Sequence, residues 1–242
     1  GIRDIGVTGV QTCALPILLL REDIRRLGAL LGETIVRHEG PALLELVESV
    51  RVGTREDPGA AAALIEGLDL ETATRLARAF SIYFDLANVA EQVQRARDIQ
   101  ARRREGENLI IAVAERAARQ PDAAPRGELL AQRMSVRPVF TAHPTEAARR
   151  SVLTKQRRIA DLLLNDRLAT DDKWLRVAAL VDLLWQTDEL RLEQPQVLDE
   201  ARNALYYLDD VVRDSLADVL HDLSAAFAVL GVDLPPDARP LS

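Results

Sequence analysis

With 242 residues, 48% of them hydrophobic but only 4% aromatic, the chain is long enough for one or two domains, and their core must be built from Leu, Ala, Val and Ile. Lys and Arg number 31 against 38 Asp and Glu, a formal charge of -7, which excludes bulk nucleic-acid binding but leaves room for local arginine clusters that hold small anions. A single cysteine, Cys13, excludes a disulfide framework and a cysteine metal cage, and makes the cytoplasm the expected compartment.

The longest apolar run, Ala14 to Leu20, is too short to cross a membrane and contains Pro16, so no membrane association is expected. It also lacks the charged start and small-residue cleavage site of a signal peptide. Residues 1–17 show no clean periodicity and look like a translated sequencing-adaptor stretch. They are expected to be non-native and are set aside from the fold argument, Cys13 with them.

From Leu18 to His38, apolar residues recur at helical spacing: Leu20, Ile24, Leu27, Leu31 and Ile35. Gly40-Pro41 punctuates, and a second helix carries Leu43, Leu44, Val47 and Val50. Gly53 to Gly59 reads as a loop and Ala60 to Leu68 as a short helix. A long helix is predicted from Glu71 to Arg103, with Leu76, Phe80, Tyr83, Phe84, Ala87 and Val89 on its apolar side and a basic, solvated tail from Arg95 to Arg104. Ile110 to Ala118 continues helical, and Gln120 to Arg126 reads as a Pro/Ala linker. Further helices are predicted over 145–168, 171–190 and, as one long element, 197–230, which Gly231 ends. Trp174 and Trp185 sit among leucines at helical spacing and read as core or interface residues. There is no internal repeat, glycine-rich phosphate loop, His-Glu-x-x-His pattern or nucleophile elbow.

One strand interrupts the helices. Residues 136–141 are apolar and β-prone, and they end at His143-Pro144-Thr145-Glu146, followed by Arg149 and Arg150. A strand that delivers a histidine to its C-terminal end is how barrel and open-sheet enzymes present catalytic groups. Pro144 favours extended backbone at His143 and suits the first turn of a helix, about one turn into which Arg149 and Arg150 would lie. A histidine, helix-start N–H groups and guanidiniums together suit a phosphate or carboxylate. His38 and His221 lie in charge-rich helical stretches and are assigned no chemical role. A solitary buried strand cannot satisfy its own backbone, so the chain is expected to be part of something larger.

Three collinear stretches carry a family resemblance. Val139-Phe140-Thr141-Ala142-His143-Pro144-Thr145-Glu146 with Arg149-Arg150 closely resembles the amino-terminal signature of the phosphoenolpyruvate carboxylases. Upstream, Ala79-Phe80-Ser81 through Leu86-Ala87-Asn88-Val89-Ala90-Glu91-Gln92 is similar to a helix of that family. Downstream, Trp185-Gln186-Thr187-Asp188-Glu189-Leu190-Arg191, Pro195 and Asp199-Glu200-Ala201-Arg202 resemble the segment that follows the histidine.

The resemblance implies a mainly α chain: the helical amino-terminal portion of a helix-decorated (β/α)8 TIM-type barrel, with only the first barrel strand, about 136–141, present. It divides the chain into the set-aside segment 1–17, a helical region 18–134, and a segment 135–242 that holds the strand, the histidine motif and the helices after it. It also implies formation of oxaloacetate and phosphate from phosphoenolpyruvate and bicarbonate, with His143 as the catalytic residue that takes the proton of carboxyphosphate and stabilises the departing phosphate. Arg149, Arg150 and Arg191 match arginines that bind a sugar-phosphate effector in plant relatives; pairing with Glu146, Asp188 or Glu189 is the alternative reading for them. Magnesium or manganese would stabilise the enolate, through ligands outside this chain. Family members are several times longer and tetrameric. A Trp-x-Gly-Gly-Asp-Arg-Asp-Gly-Asn-Pro motif, the later metal-binding carboxylates and the substrate-binding arginines are absent, so the chain is expected to be an amino-terminal fragment, inactive alone. The competing readings are a phosphohistidine transfer protein and a non-catalytic helical module that binds anions or a partner.

Overall fold

The computed structural model describes residues 9–106, 108–135, 149–188, 196–209 and 213–234. The described residues form ten α-helices: α1 Gly9–Glu39, α2 Pro41–Glu56, α3 Pro58–Glu66, α4 Leu70–Arg104, α5 Leu109–Ala118, α6 Ala123–Arg133, α7 Arg150–Leu164, α8 Thr170–Trp185, α9 Val197–Tyr207 and α10 Arg213–Val229. There is no strand among them, and the strand expected over 136–141 lies outside the described residues. The mainly α character is as expected. The helices group into two compact units. One contains the described residues up to Asp98 together with 149–188; the other contains those from Ile99 to 135 and from 196 onward.

The first unit is built on a single aliphatic core. Leu27, Leu31 and Ile35 of α1, Leu43 of α2, Ala79, Ile82, Leu86, Val89, Ala90 and Val93 of α4, Val152, Ile159 and Leu163 of α7, and Val177, Val181, Leu184 and Trp185 of α8 are all buried together. The spacing of three, four or seven residues within each helix puts these side chains on one face. Trp174 packs against the same core from its margin, with the Arg26 guanidinium 5.2 Å above its ring. Both tryptophans are therefore core residues, as the spacing predicted.

Several sequence expectations change in detail. Helix α1 begins at Gly9, inside the segment set aside, and Ile17, Leu18 and Leu19 on it are about half exposed. The loop expected at Gly53 to Gly59 is helical apart from Asp57, whose carboxylate accepts the Ala60 N–H at 3.0 Å and whose successor Pro58 occupies the first position of α3. An Asp N-cap followed by Pro restarts a helix with one residue between, so no loop is needed. The linker expected at Gln120 to Arg126 shrinks to a turn, because α6 starts at Ala123 and tolerates Pro125 in its first turn. Within 197–230, α9 and α10 are described separately, and residues 210–212 lie outside the description.

The buried face of α4 is also rotated from the one expected. Its aliphatic stripe faces the core, while Phe84 is 59% exposed and Phe80 and Tyr83 are half-buried. The three rings cluster along the flank instead, Phe80 stacked 6.5 Å from Phe84 and Tyr83 edge-on to it at 5.8 Å. The bulkier rings are accommodated at the edge.

One buried charge pair ties this unit together. Asp23 of α1 is almost wholly buried and receives Arg97 Nη1 of α4 at 2.5 Å, while Arg97 Nη2 donates to the Leu163 carbonyl at 3.1 Å, near the end of α7. Lys173 of α8 reaches the same carbonyl at 3.5 Å. A single guanidinium thus joins three helices.

The second unit is smaller. Helix α10 packs on α5, and Ala114, Ala226, Phe227 and Val232 are buried in it. Gly127 of α6 sits so close to the end of α10 that an added Cβ would lie 3.0 Å from Val232 Cγ2. Gly231, at φ +73°, ends α10 as predicted, and the Val232 N–H closes back on the Phe227 carbonyl at 3.0 Å. Arg103 reaches Asp222 at 3.0 Å, so the basic tail of α4 is partly engaged.

Removing the acid of the buried pair strands Arg97. Asp23→Ala is expected to destabilise the first unit by about 2–4 kcal/mol in urea unfolding, and the paired change Asp23→Leu with Arg97→Met to recover most of that loss. Equal losses in the single and paired variants would refute the account.

Candidate functional site

Helices α7 and α8 are consecutive and packed side by side, joined by a short turn in which the Asn165 side chain accepts the Arg167 N–H at 2.9 Å. The antiparallel hairpin brings the start of α7 beside the end of α8. Arg149, which immediately precedes α7, has extended backbone, and its carbonyl receives the Val152 N–H at 2.9 Å. Arg150 is the first helical residue. The two arginines thus stand at the N-terminus of the described helix rather than one turn into it. The first turn of α7 contains no acidic residue. The positive end of the helix dipole and the guanidinium of Arg149 therefore add, and an anion is favoured there.

Among the described residues, the Asp188 carboxylate pairs with Arg149. Arg149 Nη2 lies 3.6 Å from Asp188 Oδ2, with 37% and 72% of the two side chains exposed. This is one of the pairings that the sequence left open; Glu146 and Glu189 lie outside the described residues. His143 and Arg191 lie outside them too, so the structure brings together Arg149, Arg150 and Asp188 but says nothing of the histidine.

The end of α8 is held by a polar network contributed by α1 and α4. Asp182 accepts Arg37 at 2.6 Å and His38 at 2.9 Å, both from the last turn of α1, and Gln186 at 2.8 Å. Trp185 Nε1 donates to Glu39 at 3.3 Å, and Glu39 also pairs with Arg75 at 3.1 Å. Arg78 lies over the Trp185 ring, its Cζ 5.3 Å from the centroid, and donates to the Thr187 carbonyl at 2.9 Å. The Thr187 hydroxyl returns to the Leu183 carbonyl at 2.6 Å. The last carbonyls of α8 are thereby satisfied and its negative end is met by cations. His38 has the structural role assigned to it by default, as a hydrogen-bond partner for Asp182. Arg78 and Asp182 were not singled out in the sequence, since nothing local links them to a motif 70 or 40 residues away.

The hydrogen bond from His38 holds the Asp182 carboxyl below the usual carboxylate range; desolvation opposes this, and the charges of His38 and Arg37 reinforce it. A carboxyl depressed in the folded state contributes stability that is complete above its unfolded value and is lost as pH falls through the folded value. The difference in unfolding free energy between the natural chain and Asp182→Asn should be full near about pH 5 and shrink below about pH 4. Urea titrations across that range check this, and a difference that does not change with pH would contradict it.

No group of three or more His, Cys, Asp or Glu side chains among the described residues is arranged to hold a metal ion, and no described helix is long and apolar enough to cross a membrane. A sequence profile described as phosphoenolpyruvate carboxylase matches residues 20–242. The phosphoenolpyruvate carboxylase of Nocardia farcinica is 37% identical over 240 residues, covering 92% of this chain and 26% of the relative. That of Alcanivorax borkumensis is 36% identical over 235 residues, with 90% and 26% covered, and that of Azorhizobium caulinodans 37% identical over 246 residues, with 91% and 26% covered. The chain thus spans about a quarter of the length of these relatives. With a matching profile along nearly all of its length and relatives of this identity, the chain belongs to the phosphoenolpyruvate carboxylase family.

Proposed function

We propose that the chain supplies the histidine-bearing amino-terminal part of an enzyme that forms oxaloacetate and phosphate from phosphoenolpyruvate and bicarbonate. The observation that carries this reading is family membership over a stretch that includes His143-Pro144-Thr145-Glu146 and Arg149-Arg150. In this reading a bicarbonate oxygen attacks the phosphorus, and the bond from phosphorus to the enol oxygen breaks, leaving carboxyphosphate and the enolate of pyruvate. Carboxyphosphate then splits into carbon dioxide and phosphate, and the enolate carbon captures the carbon dioxide. His143 takes the carboxyphosphate proton and stabilises the departing phosphate. An imidazole suits this because its pKa lies near working pH, so it takes up and returns a proton with little driving force wasted.

Residues 136–141 are assigned as the first strand of a (β/α)8 barrel, with segment 18–134 as the helical region before it. Arg149, Arg150 and Arg191 are assigned to an effector site for a sugar phosphate. Three features support that assignment: the charge of Arg149 at the N-terminus of α7, the absence of an acid in that helix's first turn, and the exposure of the Asp188 pair, which an incoming phosphate can displace at little cost. The divalent cation that the family implies, magnesium or manganese, would polarise the enolate oxygen; the described residues offer it no ligand set, and its site is assigned to other parts of the protein. The whole enzyme is placed in the cytoplasm as a homotetramer, and the chain alone is expected to be inactive.

His143→Asn in the whole enzyme is expected to lower the rate of oxaloacetate formation by about 10²–10⁴-fold, measured by coupled reduction of the product. Unchanged turnover would remove His143 from the mechanism. Arg149→Ala is expected to raise the hexose monophosphate concentration for half-maximal activation by about tenfold, and an unshifted activation curve would remove Arg149 from the effector site.

A further inference from the structure

We infer that Arg78 is a positioning residue for the arginine site at the start of α7. Its guanidinium makes two contacts at once: it lies over the face of Trp185 and it donates to the Thr187 carbonyl. Trp185 is the last residue of α8 and Thr187 lies two residues beyond it, and Asp188, a carboxylate that pairs with Arg149, is the next residue. The indole beneath Arg78 is fixed at its edge as well, through Nε1 to Glu39, and it is 3% exposed, so the platform does not move. The planar fork of an arginine can stack and donate in this way, whereas a lysine ammonium cannot stack. Arg78 Nε is buried with no partner. The guanidinium tolerates that orphaned donor because its other two contacts set its position. The connection from α4 to Arg149 therefore runs through Arg78, Thr187, Asp188 and Arg149, four residues from three segments that are far apart in sequence.

The connection to phosphate affinity rests on the effector-site reading given above; the positioning of the α8 turn does not. Both can be read on the 242-residue chain. Trp174→Phe leaves Trp185 as the single tryptophan reporter beside the site, and inorganic phosphate is the probe. Arg26→Ala, which removes the corresponding cation–ring contact at Trp174 on the N-terminal turn of α8, controls for a general loss of stability. Arg78→Ala is expected to speed amide hydrogen exchange at Gln186 and Thr187 by about tenfold while Arg26→Ala does not. It should also weaken phosphate binding by about fivefold, with Arg78→Lys recovering only part of either effect.

If exchange at Gln186 and Thr187 rises no more in Arg78→Ala than in Arg26→Ala, the inference is overturned, whatever happens to phosphate. It is also overturned if Arg149→Ala loses phosphate binding while Arg78→Ala binds normally. If the natural chain binds no phosphate, the effector-site reading fails, and the positioning role stands or falls on the exchange result. Should Arg78→Ala not fold, Arg78→Gln, which keeps a donor for Thr187 without the stack, gives the same comparison.

Discussion

The first unit depends on one core assembled from segments that are distant in the chain. Helices α7 and α8 make a hairpin, but a two-helix hairpin cannot cover its own apolar faces. Val152, Ile159 and Leu163 on one helix and Val177, Val181 and Leu184 on the other are buried only because α1 and α4 lie against them. More than 50 residues separate the end of the α4 stripe from the start of α7, so the chain pays a loop-closure entropy that the shared core must offset. Everything said of Arg149 follows from that closure, because the rotation of α7 on the bundle is set by its buried positions.

The two ends of this bundle are fastened differently. At one end a buried acid, Asp23, holds Arg97, and Arg97 in turn caps the end of α7. That pair is mostly buried on the Asp23 side, and breaking it strips Arg97 of its carboxylate partner. At the other end the fastenings are shared among Glu39, Asp182, Arg78 and the last carbonyls of α8, and more of them are exposed. Salt and pH act on this second end far more readily than on the first. The chain places its candidate anion site there, beside the more adjustable end.

The dipoles agree with this placement. The ends of α1 and α8 present carbonyls, and cations from α1 and α4 meet them or their neighbouring carboxylates. The first turn of α7 lacks the acidic residue that usually balances a helix N-terminus, and Asp188, just beyond the end of α8, pairs with Arg149 there. A largely exposed ion pair between residues outside the helices can be exchanged for a bound anion at small cost, whereas an acid within the first turn of α7 would compete with the anion permanently.

The sequence alone determined the helical class, many helix bounds, the placing of both tryptophans in or against the core, the stop at Gly231 and the family, because each rests on local spacing or on a contiguous motif. It misread the junction at Asp57, where one capping residue suffices to continue helical structure, and it missed α6, which tolerates a proline in its first turn. On α4, Leu76 and Val89 are buried as expected, but Phe84 is exposed while Ala79, Ile82 and Leu86 are buried, because hydrophobicity alone does not say which apolar positions of a long helix face the core. Of the candidate site, the residue types at Arg149 and Arg150 were legible. Their place at a helix N-terminus, the pairing of Arg149 with Asp188 and the contacts of Arg78 were decided by the tertiary structure. The reason is distance along the chain: Arg78 and Thr187 are 109 residues apart, and only a common core brings such positions within hydrogen-bonding reach.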